Sequence, residues 1–317
     1  MGRCICYICL FYNRPKKFWK PLGSAIYTMK YGLYLPNFGA FGDARLLAEL
    51  AQEAEHAGWD GFFIWDHIAR PIVTPMVDAW VALSAIAMST RAIRIGALVT
   101  PLPRRRPWKV ARETVSIDRL SNGRLVLGVG IGSSGGQEVE WDNFGEEVDL
   151  KTRGAMLDEG LEVISGLWSG KPFAFDGQHY QVKQSQFIPT PLQTPRIPVW
   201  VAGNWPNHAP FRRAARWDGM IPQTQSKGVD ELALLKQAIQ YTRDYRKDAR
   251  PLDVVYSAAP TPGDDPAKAA ERIAPFAEAG VTWWLEQIYP GHFGSGWQED
   301  WPVEAMRARI LQGPPAK

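Results

Sequence analysis

The chain has 317 residues, of which 45% are hydrophobic and 22% are charged, so it can bury a large core and gives no compositional sign of disorder. Its net charge of +3 arises from basic residues before Met29, where there are no acidic residues. The rest of the chain is nearly neutral, which excludes a charge-based case for nucleic-acid binding.

The first 28 residues differ in composition from the rest of the chain. They contain all three cysteines, so the remainder has neither a disulfide framework nor a cysteine zinc site, and a reducing cytoplasm is the expected location. Basic residues follow their apolar run where a secretory signal would approach its cleavage site, and no run of about 18 apolar residues could span a membrane. We predict that residues 1–28 are an N-terminal extension outside the fold and that residues 29–317 form one domain.

Two βα units are predicted directly after Met29. The apolar runs at residues 31–35 and 61–65 are typical of short buried strands. Each precedes a segment with apolar residues at helical spacing, over residues 44–57 and 77–89.

The next βαβ unit is the clearest in the chain. Its strands, at residues 95–99 and 125–131, are almost unbroken apolar runs, which is typical of strands covered on both faces. The helix between them begins at Pro107, a position where a missing N–H costs little. Parallel strands present ligands at their carboxyl ends, so the loops at residues 100–106 and 132–136 are the expected place for an active site.

A long polar connection, residues 132–150, precedes a helix predicted over residues 151–168. Its irregularly spaced acidic residues favour a solvated loop over a metal site. These acidic residues are Glu138, Glu140, Asp142, Glu146, Glu147 and Asp149. Residues 170–195 carry a hairpin signal around Asp176-Gly177 and are interpreted as an insertion.

The remaining strands and helices continue the alternation. Strands are predicted at residues 198–202, 218–221, 254–258 and 281–285. Helices are predicted over residues 207–216, 229–248, 266–279 and 302–311. Eight strand and helix pairs in strict alternation predict an α/β fold, a (β/α)8 TIM barrel with insertions.

One segment also carries a family resemblance. The sequence GALVTPLPRRRPWKVARETVSIDRLSNGRLVLGVGIG closely resembles the equivalent part of luciferase-like monooxygenases, and weaker similarity continues over most of residues 29–311. The resemblance implies a (β/α)8 barrel that binds FMN or the deazaflavin coenzyme F420.

His67 is the leading catalytic candidate, because imidazole titrates near neutral pH and this residue ends the second predicted strand. Side chains alternate along a strand, so Asp66 and His67 do not both point inward if the strand continues regularly. We favour His67 as the inward side chain and keep both as catalytic candidates, against the alternative that His67 merely closes a strand. The motif WDHI resembles the Asp-His pair of deazaflavin-dependent relatives, although FMN-dependent relatives also carry histidine here.

We further expect cofactor contacts at the carboxyl ends of several strands. The expected contacts are Asn37, Leu98, Val99, Thr100, Gly130, Gly132, Ser133, Ala202, Gly203 and Asn204. The family commonly has a bulge at the third strand, often with a non-prolyl cis peptide bond, packed against the flavin ring. Some deazaflavin-dependent dehydrogenases have Glu where this chain has Ser133, which argues against a sugar-phosphate dehydrogenase.

The loop of Ala202, Gly203 and Asn204 receives a phosphate in the family, and its backbone N–H groups suit that chemistry. An ordinary tight turn is the alternative. The basic run from Arg104 to Arg106 could receive an anionic cofactor tail or an acidic substrate, or could be a solvated loop. Five aromatic residues could form a wall around a flat ring, although most are expected to be core. They are Phe38, Trp65, Trp205, Trp283 and Trp284.

These features together predict an oxidoreductase that transfers hydride between a reduced deazaflavin or FMN and a small organic substrate. The alternatives are an FMN-dependent monooxygenase that uses molecular oxygen and a non-catalytic flavin-binding protein. No metal, nucleic-acid or membrane partner is expected, and a homodimer is kept open.

Overall fold

Parallel strands ring a common axis in the computed structural model, which describes residues 29–132, 139–224 and 230–315. The strands are β1 (Lys30–Leu35), β2 (Gly61–Ile64), β3 (Arg94–Ala97), β4 (Thr100–Pro101), β5 (Leu127–Gly130), β6 (Phe173–Asp176), β7 (Gln181–Ser185), β8 (Val199–Asn204), β9 (Gly219–Gln223), β10 (Asp253–Ala258) and β11 (Trp283–Gln287). The helices are α1 (Ala44–His56), α2 (Ala79–Ser89), α3 (Pro107–Leu120), α4 (Val139–Asp142), α5 (Leu150–Trp168), α6 (His208–Ala214), α7 (Glu231–Tyr245), α8 (Pro266–Ala279) and α9 (Val303–Leu311).

The sheet closes through a divided third strand. Its order is β3-β2-β1-β11-β10-β9-β8-β5-β4, so β3 and β4 stand at its two ends although they are nearly consecutive in the chain. β4 pairs with β5, and Ile95 of β3 forms a parallel bridge with Leu125. Between the two parts, the Leu98–Val99 peptide bond is cis. The predicted (β/α)8 barrel is confirmed, with its third strand position shared by β3 and β4.

Aromatic rings fill the interior of the barrel. Phe63, Trp200 and Trp283 contact one another with ring centroids 5.3–5.7 Å apart, a spacing typical of favourable aromatic pairs. Tyr34, Val99 and Ala202 pack on this interior cluster and are only partly buried. These three residues, which we call the apolar floor, form the end of the interior at the carboxyl rim of the strands.

Aspartate caps set the starts of several helices around the barrel. Asp43, Asp78, Asp149, Asp230 and Asp265 each accept a hydrogen bond from a backbone N–H in the first turn of the following helix. The starts predicted at residues 77 and 229 were each two residues early, because the capping aspartates precede the first helical residues.

The segment between β5 and β8 departs from simple alternation. Strands β6 and β7 form the predicted antiparallel hairpin, and the Glu159 carboxylate of α5 accepts N–H donors from its turn, Gln178 among them. The connection before α5 was predicted as a loop but contains the short helix α4. The predicted extension, residues 1–28, and Ser133 lie outside the described residues. No helix in the described ranges is long and apolar enough to cross a membrane.

Candidate active site

His67 follows β2 at the carboxyl rim and is held through both its backbone and its ring. Its backbone N–H donates to Asn37 Oδ1 at 3.1 Å, and its carbonyl accepts from Asn37 Nδ2 at 2.8 Å. The ring Nδ1 lies 3.0 Å from Glu140 Oε1, and the side chain is 17% exposed. Nε2 has no hydrogen-bond partner among the described residues. One ring nitrogen is therefore fixed and the other is available to a ligand.

Asn37 is fully buried and joins the turns that follow β1 and β2. Besides its two contacts with His67, its Nδ2 donates to the Val77 carbonyl at 2.8 Å. The sequence predicts a cofactor contact for Asn37; in the structure its amide group positions the backbone of His67.

Glu140 is a site residue that the sequence interpretation missed. Its side chain is 3% exposed, so the assignment of this residue to a solvated loop is wrong. Oε1 accepts hydrogen bonds from the N–H groups of Ile68 at 2.7 Å and Ala69 at 3.3 Å, in addition to contacting His67. Burial alone would raise the pKa of Glu140, but the bonds from His67 and the Arg104 charge lower it to about 2. Glu140 is therefore ionised at neutral pH.

The packing of Trp141 explains how α4 brings Glu140 to the rim. Trp141 is fully buried, and the Arg153 guanidinium carbon lies 3.4 Å from the centroid of its ring. Gly132 has φ of +82°, and a Cβ at this position would overlap the indole ring. Trp141, a large apolar residue within the acidic stretch, was a sequence signal that the connection over residues 132–150 packs against the protein.

Asp66 and His67, which lie beyond the end of β2, contact different partners. Asp66 is buried, and its Oδ1 accepts from Arg105 Nη2 at 2.7 Å. Trp80 Nε1 donates to Asp66 Oδ2 at 3.3 Å. Asp66 therefore anchors the loop that follows β4. These contacts do not support a direct catalytic role for Asp66, which remains a prediction.

The arginine run from 104 to 106 is mostly internal. Arg104 donates to the Asp66 carbonyl at 2.9 Å, and its Nη1 lies 3.0 Å from Glu140 Oε2. The solvated-loop alternative is wrong for Arg104 and Arg105, because both guanidinium groups contact internal carboxylates. Arg106 is exposed.

The apolar floor is shaped by residues at the divided third strand. The Tyr34 hydroxyl donates to the Leu98 carbonyl. A Cβ at Gly130 would lie 2.9 Å from Val99 Cγ2, so glycine here leaves Val99 its place in the floor. Thr100 is fully buried, yet its Oγ1 has no hydrogen-bond partner in the described part of the chain. This hydroxyl is a polar group that a ligand on the floor could satisfy.

An aromatic wall stands beside the floor and His67. We give this name to Phe38, Trp65, Tyr289, Trp297 and Trp301. Ring centroids of Phe38 and Trp65 are 5.7 Å apart, and those of Tyr289 and Trp297 are 5.2 Å apart. The His67 ring contacts both Phe38 and Trp65, at 5.7 and 5.6 Å. These rings lie beside His67 at the carboxyl rim, and aromatic side chains of this kind can pack against a flat organic ring.

Three tryptophans considered for the wall lie elsewhere. Trp205 packs against His208 and Tyr241 on the helical layer, and Trp283 fills the barrel interior. Trp284 faces α8, with its ring 5.3 Å from Phe276. Aromatic residues near strand ends divide between the two faces of the sheet. Amino-acid composition does not reveal which face each residue occupies.

Ala202, Gly203 and Asn204 end β8 on the same rim as His67, because the strands that carry them are parallel. Ala202 belongs to the floor, and Asn204 is exposed. A Cβ at Gly203 would overlap Pro210, so close packing of α6 is one reason for glycine here. The position of this loop on the rim is compatible with the expected cofactor contact. That contact stays a prediction.

Comparison with known proteins gives a consistent picture. A family model described as luciferase-like monooxygenase matches residues 29–309. The chain is 31% identical over 256 residues to the F420-dependent glucose-6-phosphate dehydrogenase of Gordonia bronchialis, which covers 76% of this chain and 71% of that protein.

Two solved structures have the same fold. An F420-dependent secondary alcohol dehydrogenase in complex with an F420-acetone adduct is similar with a TM-score of 0.69 and 17% identity, over 82% of this chain and 93% of that chain. The oxygenating constituent of 3,6-diketocamphane monooxygenase from Pseudomonas putida, in complex with FMN, has a TM-score of 0.67 and 16% identity, over 91% of this chain and 98% of that chain. At these identities the likeness concerns the fold alone.

Proposed function

The chain belongs to the luciferase-like monooxygenase family, and from that premise we propose that it is a deazaflavin-dependent oxidoreductase acting on a small organic substrate. The apolar floor would hold the ring of the cofactor, which would supply the hydride transfer. The observation that carries this proposal is the pairing of His67 with buried, ionised Glu140, beside a floor and wall suited to a flat ring.

The residues present suit a deazaflavin or FMN at the rim. Tyr34, Val99 and Ala202 would lie against one face of the ring, and the unpartnered Thr100 hydroxyl would hydrogen-bond a polar atom of the cofactor. The loop at Gly203 would receive the cofactor phosphate through backbone N–H groups. Either cofactor supplies a ring that accepts or donates hydride when bound.

The proton chemistry is assigned to His67. Because Glu140 is ionised, Nδ1 of His67 carries the hydrogen that Glu140 accepts, and Nε2 is the nitrogen that would exchange a proton with the substrate. When a substrate hydroxyl is oxidised, Nε2 would accept the hydroxyl proton, and the bound cofactor would be the hydride acceptor. The Glu140 carboxylate then stabilises the imidazolium. In the reverse direction, His67 returns the proton to the carbonyl oxygen.

The other residues position these groups and exclude water. Asn37 fixes the backbone of His67, and Arg104 holds the second oxygen of Glu140. The aromatic wall covers the His67 ring on one side and removes water from the site, which strengthens the charged contacts inside it. We thus propose that the substrate is a small organic molecule. We also propose that the protein is located in the cytoplasm and forms a homodimer.

The test is equilibrium binding of the full chain to F420 and to FMN, followed by anaerobic turnover with a panel of small alcohols. We expect tighter binding of F420 and reduction of F420 without oxygen consumption. Replacing His67 by Ala should lower kcat by about 10² to 10⁴-fold while F420 binding is retained.

Three results would redirect the proposal. Tighter FMN binding with oxygen consumption would favour a monooxygenase, and tight cofactor binding without turnover of any substrate would favour a flavin-binding protein. Unchanged turnover in His67→Ala would remove His67 from the chemistry.

A further inference from the structure

Arg70 lies three residues after His67 and has no carboxylate partner among the described residues. The part of the chain that the structure describes contains no salt bridge or hydrogen bond to its guanidinium, and its Nη1 is buried without a partner. Its guanidinium carbon lies 4.7 Å from the centroid of the Phe38 ring and 5.7 Å from that of Trp297. Both rings belong to the aromatic wall, so Arg70 faces the same site as His67.

Two other arginines near the site, unlike Arg70, contact carboxylates. Arg104 and Arg105 contact Asp66 or Glu140 at 2.7–3.6 Å. Glu140 is already engaged, with Oε1 contacting His67 and two backbone N–H groups and Oε2 contacting Arg104. Among the described residues, Arg70 makes no hydrogen bond or salt bridge to either oxygen of Glu140.

A partly buried guanidinium without an anion is unfavourable, because its N–H groups have lost water and gained no acceptor. Burial lowers the pKa of Arg70, and the charge of Glu140 opposes this effect. Arginine nevertheless stays charged at any physiological pH. Within the described part of the chain, the Arg70 guanidinium is therefore a positive charge with no directly bonded anion.

The geometry limits what can neutralise it. The guanidinium carbon of Arg70 lies over two aromatic rings, and the N–H groups of a guanidinium pair well with the two oxygens of a carboxylate. The Phe38 ring contacts both Arg70 and His67, so an anion bound by Arg70 would lie in the same part of the rim as the His67 ring. The loop at Gly203, assigned to the cofactor phosphate, is three strand positions away around the barrel.

We propose that Arg70 binds the carboxylate of the substrate and that the substrates are small hydroxy acids or the corresponding oxo acids. This inference rests on the proposed oxidoreductase function. In the oxidation, hydride leaves the carbinol carbon for oxidised F420, the hydroxyl proton passes to His67, and the carbon becomes a carbonyl. Arg70 makes no bond to the reacting atoms and determines specificity.

The experiment compares the full-length chain with Arg70→Gln and Arg70→Lys, and uses Arg106→Gln as the matched control, because Arg106 is exposed and has no place in the site. The probes are 2-, 3- and 4-hydroxy acids of two to six carbons, their methyl esters, and phosphate monoesters of similar size. Binding to the F420-loaded protein is measured by calorimetry, and turnover by loss of F420 absorbance. F420 affinity and Tm are measured separately.

We expect the wild type and Arg106→Gln to bind a hydroxy acid at least tenfold more tightly than its ester. Arg70→Gln should lose at least tenfold in acid affinity, keep its ester affinity and F420 affinity, and show an unchanged or higher Tm, since no internal ion pair is removed. Arg70→Lys should recover part of the acid affinity, because it restores charge without the planar fork.

Equal affinity of the wild type for acids and esters would overturn the proposal, as would an Arg70→Gln variant that loses F420 affinity instead of acid affinity. Preference for phosphate monoesters that depends on Arg70 would also overturn the carboxylate assignment. If no variant binds F420 or FMN, the proposed function itself fails, and this result is distinct from loss of acid selectivity.

Discussion

Glu140 and His67 form the smallest unit of the site, and each determines what the other can do. The carboxylate is held by N–H groups of the His67 loop and by Arg104, so it cannot move without breaking several contacts at once. The imidazole is held at Nδ1 and at its backbone. Such a pair presents Nε2 in one orientation and one tautomer, which is the preorganisation that proton transfer requires.

Replacing Glu140 by Gln should lower kcat by about tenfold or more, because the amide no longer stabilises the imidazolium formed during turnover. F420 affinity should change little. Steady-state kinetics and F420 titration check both quantities.

The matched control is Asp142→Asn, on the same short helix but exposed, which should retain wild-type kinetics. If Glu140→Gln kept full kcat, the dyad would have no catalytic role. If both variants were equally impaired, the loss would belong to helix α4 and not to Glu140.

Glu140 should also stabilise the protein in a pH-dependent way. The pKa of Glu140 is about 2 in the folded protein, whereas an ordinary glutamate has a pKa near 4.3. A lowered folded-state pKa contributes stability above the ordinary value, and the contribution is lost as pH falls toward about 2.

The Tm difference between wild type and Glu140→Gln should therefore be largest above about pH 4.5 and shrink as pH approaches 2.5. Calorimetric or circular dichroism melting from pH 7 to 2.5 measures it. Other carboxylates titrate in both proteins and cancel in the difference. A difference that stays constant to pH 2.5 would contradict the assigned pKa.

At this scale the sequence predicted that Asp66 and His67 follow the second strand and point in separate directions, while the catalytic role of His67 stays a prediction. It did not predict Glu140 or the pairing of Arg104, because these contacts join residues far apart in the chain and depend on how α4 packs. The absence of a partner for Arg70 among the described residues is equally invisible to composition, since nothing local distinguishes Arg70 from its paired neighbours.

The elements around the site are positioned by a few close approaches. The divided third strand lets Val99 stand in the floor while β4 continues the sheet. Helix α4 reaches the rim only because Gly132 admits the ring of Trp141. The sequence predicted the strands and long helices, whose apolar periods are local, and missed α4, whose four residues are too short to show a period.

Replacing Gly132 by Ala should displace α4. An alanine in the left-handed region costs about 1–2 kcal/mol, and its Cβ would also overlap Trp141, so Tm should fall by about 4–8 °C. Catalytic efficiency should fall as well, because Glu140 moves with α4. Thermal melting and steady-state kinetics of the variant measure the two effects.

Gly145→Ala is the matched control for that substitution. Gly145 has φ of +66°, and a Cβ there has no atom within 4 Å, so it carries the backbone cost without the overlap. It should lower Tm by about half as much or less and leave kinetics unchanged. Equal effects of the two alanines would show that contact between Gly132 and Trp141 does not position the site.

The whole molecule brings the site together by closing the barrel. Parallel strands place all their carboxyl ends on one rim, so Asn37, His67, Glu140 and Gly203 meet there despite their separation in sequence. The sequence predicted this rim because eight apolar runs alternate with eight helical patterns. The particular pairings on the rim required the closed structure.

The closed barrel also predicts that residues 1–28 are not needed for folding. β1 begins at Lys30, which is paired with Trp283 of β11, and the match to the family model begins at residue 29. A protein that starts at Met29 should therefore be soluble and melt within about 2 °C of the full chain, a shift smaller than 1 kcal/mol of stability produces in a domain of this size. F420 binding should be unchanged.

A protein that starts at Pro36 provides the control for this deletion. It lacks β1, which lies between β2 and β11 in the sheet, so the barrel is left with two unpaired edges and should be insoluble or unfolded. If the protein starting at Met29 were as insoluble as the one starting at Pro36, residues 1–28 would be part of the folded domain. If it folded but lost F420 binding, they would contribute to the site, and in either case the boundary at residue 29 would be wrong.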